Sequence, residues 1–322
     1  MQQAPFLSEI CETAPDGRAY WLDTADGPRI RAVLWPAENA RGTVLMFPGR
    51  TEYAEKYAQT AADFAKEGYA TFAIDWRGQG LAERLLDNPK IGHVGVFSDY
   101  QRDVAALIAA AEHLELPKPW YLIAHSMGGA IGLRALMEGL PVNASVFTGP
   151  MWGIILNAAA RPAAWAITWA SRKLGTSNGL APGTRQDAYV LTEPFADNTL
   201  TTDPDMFEMM RQHLLTHPEL SLGGPSLNWL HEALKETLEL SRQPSPAVPC
   251  ITFVGTNERI VDPRRIQSRM ACWPDGQLVE IDGAEHEVLM ETPAIRASVI
   301  RQCVDLFEAH CDRDEQTAPV AC

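Results

Sequence analysis

Through the first 150 residues, short β-branched or aromatic runs alternate with stretches of helical periodicity, and this alternation limits the fold more than any other feature of the chain. Residues 31–35 and 43–47 read as strands. Residues 53–67 follow, with Tyr53, Tyr57, Ala61 and Phe64 at helical spacing and Gly68 as a stop. The pattern repeats as strand 70–74, helix 100–114, strand 120–123, a helix from Met127 and strand 144–148. Strands separated by a helix run parallel, and a parallel sheet has to be covered on both faces. From Pro150 to about Pro225 the rhythm breaks into tryptophans, prolines and turn dipeptides with no convincing strand. It resumes with strands 250–254 and 277–281 and a helix over 294–310. The expectation is one α/β domain, residues 1–149 and 226–311, interrupted at 150–225 by a mainly helical cap above the carboxyl edge of the sheet. A polar, frayed tail at 312–322 completes it.

Composition then removes whole classes of function. Lys and Arg total 27 against 41 Asp and Glu, a formal net charge of −14. An acidic surface repels phosphate backbones, which argues against a nucleic-acid partner and against polybasic docking on membranes. The most membrane-like stretch, 151–170, is broken by Asn157, Arg161 and Pro162, so no stable span is expected and membrane contact is transient at most. The N-terminus lacks a cationic segment followed by an apolar run. The six cysteines form no CxxC pair and read as reduced thiols, which points to the cytoplasm. Nothing in the pattern calls for a metal or an organic cofactor, and nothing sets an oligomeric state.

Chemistry concentrates first at Ala124-His125-Ser126-Met127-Gly128-Gly129, which follows an apolar strand and opens a helix. In the strand–turn–helix context of a G-x-S-x-G nucleophile motif, the turn is tight and residues two positions either side of the serine must be small. Gly128 meets that need; Ala124, in the place of the first glycine, adds one methyl. The turn would expose the Ser126 hydroxyl, with the Met127 N–H at a helix N-terminus where it can stabilise an oxyanion. The competing reading makes Ser126 a helix N-cap.

With these residues in view, the sequence resembles the α/β-hydrolase superfamily, and within it monoacylglycerol lipases and bacterial lysophospholipases of the L2 type. The resemblance rests on Phe47-Pro48-Gly49-Arg50-Thr51-Glu52-Tyr53, Asp75-Trp76-Arg77-Gly78-Gln79-Gly80, the serine motif, Gly255-Thr256-Asn257-Glu258-Arg259-Ile260-Val261-Asp262 and Gly283-Ala284-Glu285-His286-Glu287, in that order. Leu222-Gly223-Gly224-Pro225 looks like the return from cap to core. The resemblance implies an α/β-hydrolase fold, a mostly parallel sheet flanked by helices, with a helical cap inserted after the sixth strand. It also implies the order Ser126, acid, His286. His286 stands in a loop after a late strand and would take and return the serine proton. The family's usual acid is an aspartate where Glu258 stands; Glu258 leads, Asp262 is the alternative, and Glu285 stands further behind. By the same resemblance the second oxyanion donor is the backbone N–H of Arg50. Its side chain either meets an anionic headgroup or is simply solvated.

The implied function is a serine carboxylester hydrolase (EC 3.1.1.-) that cleaves single-acyl esters of monoacylglycerol or lysophospholipid type through an acyl-enzyme. The alternatives are a small-ester esterase, an aminopeptidase with Glu193, Asp197 or Asp203 for the amine, and a hydrolase-fold binding protein without turnover. Trp152, Ile155, Trp165 and Trp169, with Ile154, Leu156 and Ile167, either line an acyl tunnel in the cap or form the cap's own core. His125 reads as packing under the turn, Asp75 and Arg77 as loop architecture, and His93 as a structural hydrogen-bonding group. His213 and His217 share a helical face as metal ligands would, but without an H-E-x-x-H pattern they read as solvated.

Overall fold

The computed structural model describes residues 1–155 and 160–312. Leu156, Asn157 and the tail beyond 312 lie outside the described residues. Among these, the strands join in one sheet. β1 (Gln2–Gln3), β2 (Arg18–Asp23) and β3 (Arg29–Trp35) make its antiparallel end. β4 (Thr43–Phe47), β5 (Ala70–Asp75), β6 (Trp120–His125), β7 (Ala144–Thr148), β8 (Cys250–Gly255) and β9 (Gly276–Ile281) pair in parallel, and the order across the sheet is β1-β2-β3-β5-β4-β6-β7-β8-β9. The sequence reading found five strands before the helical segment and missed β1 and β2, so that segment follows the seventh strand and not, as the resemblance implied, the sixth.

The central strands are continuous apolar runs because both faces are buried. Leu45 and Phe47 point to one face, where α2 (Tyr100–His113), α3 (Met127–Met137), α7 (Leu227–Leu240) and α8 (Pro263–Met270) bring Leu107, Ile131, Trp229 and Ile266. Val44 and Met46 point to the other, where α1 (Ala58–Lys66) and α9 (Pro293–Ala309) bring Phe64 and Phe307. β9 closes one edge and is only half-buried, with Glu280 facing out.

Between β7 and β8 come α4 (Ala160–Lys173), the single turn α5 (Tyr189–Thr192), α6 (Pro204–Thr216) and then α7. Asp203 caps α6 and Ser226 caps α7 through their side chains. The stretch holds a small core of its own, with Val190, Phe207, Met210 and Leu214 packed on Tyr53. The loops after β4, β6, β7, β8 and β9 all leave the sheet's carboxyl edge, where open α/β sheets place their ligands.

Candidate active site

Ser126 sits where β6 turns into α3, with φ 49° and ψ −117°, a conformation L-residues reach only under strain. The turn is held on both sides. Ser126 N–H donates to Thr148 O at 3.1 Å, and Ser126 O accepts from Gly129 and Met151 N–H, each at 2.8 Å. Its hydroxyl makes no N-cap bond to α3, so the serine is not there to cap the helix. Gly128 allows the approach: a Cβ there would lie 2.2 Å from Phe47 O and 2.5 Å from Pro48 O. The extra methyl of Ala124 is accommodated because Gly132 faces it on α3.

His286, in the loop after β9, is buried and lines the same cavity as Ser126. Gly149, with φ 48°, lets the end of β7 come close, since a Cβ there would meet His286 Nδ1 at 3.0 Å. His286 Nδ1 meets Glu258 Oε2 at 2.6 Å, while Glu258 Oε1 accepts the N–H groups of Ile260 at 2.7 Å and Val261 at 3.0 Å. Burial alone would push the Glu258 carboxyl up, but the imidazole and these amides hold it below its ordinary value. Burial would pull His286 down, and the Glu258 charge and hydrogen bond outweigh it, so His286 is raised. Asp262 is elsewhere, accepting from Arg264 N–H as the N-cap of α8, and Glu285 pairs with Arg259.

The loop after β4 passes beside Ser126, where a Cβ on Gly49 would be 3.0 Å from the serine Cβ. Among the described residues no acceptor is found for the backbone N–H of Arg50 or of Met127. The loop's other groups are tied down. Trp76 Nε1 donates to Pro48 O at 2.8 Å, Gln79 Nε2 to Gly49 O at 2.7 Å, and Gly49 N–H to the Glu52 carboxylate. Glu52 also accepts from Tyr57 at 2.7 Å and Lys56 at 2.6 Å, and Lys56 bonds Glu287 next to His286. This buried set, which sequence reading missed, straps the Arg50 loop to the His286 loop. Glu52, His125 and Glu287 are arranged as metal ligands could be, but the Lys56 ammonium already supplies the cation. Burial lowers His125 to about 3, and its Nδ1 is bonded to Thr148, so it packs under the turn as a neutral ring.

The cavity measures about 200 Å³ and is walled on its outer side by Tyr189, Val190, Leu200, Met210, Leu214 and Ile260. That is smaller than the roughly 300–1,000 Å³ of drug-sized sites, so a long acyl chain would reach past its mouth. The backbone of Thr199 and Leu200 accepts the N–H groups of His286 and Glu287, which fixes this wall against the histidine loop. Trp152, Ile155, Trp165 and Trp169 do not line it. Trp152 is buried against Phe147 and Trp273. Trp165 packs on His231, because α4 lies along α7 rather than over Ser126. Ile155 and Trp169 are exposed. Two lining residues had a signal in sequence: Met210 and Leu214 stand one turn apart along α6. His213 is buried and bonded to Tyr53 at 3.1 Å rather than solvated, and burial lowers it to about 4. His93 bonds Ser226 Oγ at 2.8 Å, and Asp75 holds Arg31, Ala54 and Leu81.

Comparisons with known proteins bear on the family and the fold. The family model described as serine aminopeptidase, S33, matches residues 38–293. Lysophospholipase L2 of Escherichia coli is 33% identical over 87% of this chain and 84% of its own length. Probable lysophospholipase L2 of Haemophilus influenzae is 28% identical over 84% of this chain and 85% of its own. Among solved structures, a soluble variant of the Saccharomyces cerevisiae monoglyceride lipase superposes with a TM-score of 0.71 at 20% identity, over 91% of this chain and 96% of that one. A thermostable carboxyl esterase from Bacillus coagulans gives 0.74 at 15% identity, over 92% and 99%. Identities this low speak for the fold, and the α/β-hydrolase fold implied by the resemblance is the one observed.

Proposed function

The chain belongs to the α/β-hydrolase family described as serine aminopeptidase, S33, and from that premise we propose that it is a serine carboxylester hydrolase acting on single-acyl-chain esters. The observation that carries the reading is the 2.6 Å bond from His286 Nδ1 to Glu258, on a buried histidine sharing a cavity with a strained serine. Glu258 fixes the proton on Nδ1 and leaves Nε2 bare. Ser126 Oγ gives its proton to Nε2 as it attacks the ester carbonyl, and the bond to the leaving alkoxide breaks as Nε2 returns the proton. Water then cleaves the acyl-enzyme by the same route. The unpaired N–H groups of Arg50 and Met127 would receive the oxyanion, each worth about 3 kcal/mol of barrier.

Substrate class follows from the relatives' names, lysophospholipase L2 and monoglyceride lipase, and from the apolar wall. An aminopeptidase needs a carboxylate free to hold the substrate's amine. Among the described residues Glu193 is paired with Arg185, Asp197 with Arg259, and Asp203 caps α6, while Glu52 and Glu287 are bound by Lys56. The ester reading is favoured for that reason. In this reading residues 150–225 act as the cap on a core made of 1–149 and 226–311, and the protein works in the cytoplasm on small-molecule esters. Among the described residues no helix is long and apolar enough to cross a membrane. The test is hydrolysis of p-nitrophenyl esters from acetate to palmitate, beside 1-acyl lysophosphatidylcholine and monoacylglycerol, with a Ser126→Ala control. Turnover of the lipids that the control abolishes is expected; turnover surviving in Ser126→Ala would overturn the mechanism, and cleavage confined to acetate and butyrate would overturn the lipid assignment.

A further inference from the structure

In a trans peptide the carbonyl oxygen and the N–H of the same unit point in opposite directions, so fixing one aims the other. Two successive units of the loop after β4 are fixed in different ways. The Pro48–Gly49 unit is held at both ends: Pro48 O accepts from Trp76 Nε1 at 2.8 Å, and Gly49 N–H donates to the Glu52 carboxylate. The Gly49–Arg50 unit is held at its carbonyl alone, where Gln79 Nε2 donates at 2.7 Å. Its N–H, for which no acceptor is found among the described residues, is turned away from Gln79. Arg50 lines the cavity, yet its guanidinium bonds Gly223 O at 2.7 Å and lies 5.6 Å over the Trp229 ring, and neither residue belongs to the lining. The part of Arg50 left to face Ser126 is its backbone.

Gln79 is itself locked in place. It is buried, and its Nε2 donates to Glu52 O at 3.1 Å as well as to Gly49 O; only the NH2 of an amide can serve two carbonyls, so the side chain has one orientation. Gly78 and Gly80, both with positive φ, make the turn that presents it. A Cβ on Gly80 would lie 2.5 Å from both carboxylate oxygens of Asp75. Asp75 in turn accepts Leu81 N–H at 2.9 Å and Ala54 N–H at 2.7 Å, which fastens the loop after β5 to the loop after β4. We propose that Gln79 is a positioning residue, holding the Gly49–Arg50 peptide so that its N–H and not its carbonyl faces the oxyanion on Ser126. The inference rests on the ester-hydrolase reading and deepens it. Without Gln79 a buried carbonyl loses its donor, and Gly49, with no side chain to resist rotation, lets the peptide turn over. A carbonyl dipole then points where negative charge develops.

The experiment compares wild type and Gln79→Met on p-nitrophenyl butyrate and on trifluoromethyl propyl ketone, which has the same acyl chain. Ser126 Oγ adds to the ketone carbon, the carbonyl π pair moves to oxygen and the serine proton passes to His286 Nε2, leaving a tetrahedral oxyanion in the same place. In Gln79→Met kcat should fall about ten- to hundredfold with KM within about threefold. The inhibition constant of the ketone should rise by the factor by which kcat/KM falls, because both report on the oxyanion. A purely structural role would lower the unfolding midpoint and leave both quantities unchanged in the folded enzyme. Gln79→Glu, assayed at alkaline pH where its carboxylate has no proton to donate, keeps the shape of the amide and serves if Gln79→Met does not fold. A folded variant within threefold of wild-type kcat, or a fall in kcat without a weaker ketone, would overturn this inference alone. Wild type that cleaves no ester, or Ser126→Ala that still does, would overturn the hydrolase reading and this inference with it.

Discussion

Glu258→Gln replaces one carboxylate oxygen by an amide nitrogen, and the geometry dictates which one. Oε1 takes two backbone N–H groups, at 2.7 and 3.0 Å, and only an oxygen can accept them. The new NH2 therefore turns to His286 Nδ1, makes that nitrogen an acceptor and moves the ring proton to Nε2. Nε2 then cannot take the Ser126 proton. The active tautomer returns only if the amide flips, which sets its NH2 against two N–H donors and forfeits two buried hydrogen bonds, about 3–6 kcal/mol. That corresponds to a fall in kcat of about two to four powers of ten. Steady-state hydrolysis of p-nitrophenyl butyrate, normalised to sites labelled by a fluorophosphonate, measures it. Asp262→Asn is the control, because asparagine caps a helix as well as aspartate does and kcat should stay within about threefold. A Glu258→Gln enzyme within tenfold of wild type, or a larger loss in Asp262→Asn, would refute the reasoning.

Three further outcomes follow from the same geometry. Because His286 must be neutral to accept a proton and its pKa is raised, the acidic limb of kcat/KM against pH should lie above the ordinary histidine value of about 6.5. By linkage, the stability this raised group contributes is full below the ordinary histidine range and is lost as pH rises through its folded value, which urea unfolding against pH would show. Gly128→Ala would force the Phe47–Pro48 backbone back by about 1 Å, moving the Arg50 N–H off the oxyanion, so kcat should fall about a hundredfold. Unchanged kcat in a folded variant would contradict the loop's role. Lys56→Met leaves Glu52 and Glu287 buried without a cation and should cost about 3–5 kcal/mol in chemical unfolding; a loss under 1 kcal/mol would show that the two carboxylates are neutral without it.

Most of the sheet was readable because its central strands are buried on both faces and spell apolar runs. β2 was missed because its buried Ala19 and Leu22 stand three apart and so face opposite sides of the sheet, which leaves no alternation to register. Ser126 was legible from a turn that tolerates few residues, and His286 from its place after β9. The resemblance put Glu258 ahead of Asp262, but both stand in one loop and residue type alone does not separate them; it is Glu258 that reaches Nδ1 in the fold. The tryptophans misled because bulk signals burial without saying against what. Trp152 belongs to the main core and α4 rests on α7, while smaller residues on α5 and α6 wall the cavity.

The order in which the strands leave the ribosome matters for a sheet built this way. β7 ends at Thr148, and its partner β8 begins at Cys250, about a hundred residues later. At about 5–20 residues per second, the half-sheet waits about five to twenty seconds with the apolar edge of β7 unpaired. That interval is the chain's hazard for edge-to-edge association, and a chaperone that shields strand edges has most to do there. The same delay separates the chemistry: Ser126 is made with the first half, whereas Glu258 and His286 arrive with the second. In the proposed mechanism, a nascent chain carries its nucleophile unarmed until the sheet is closed.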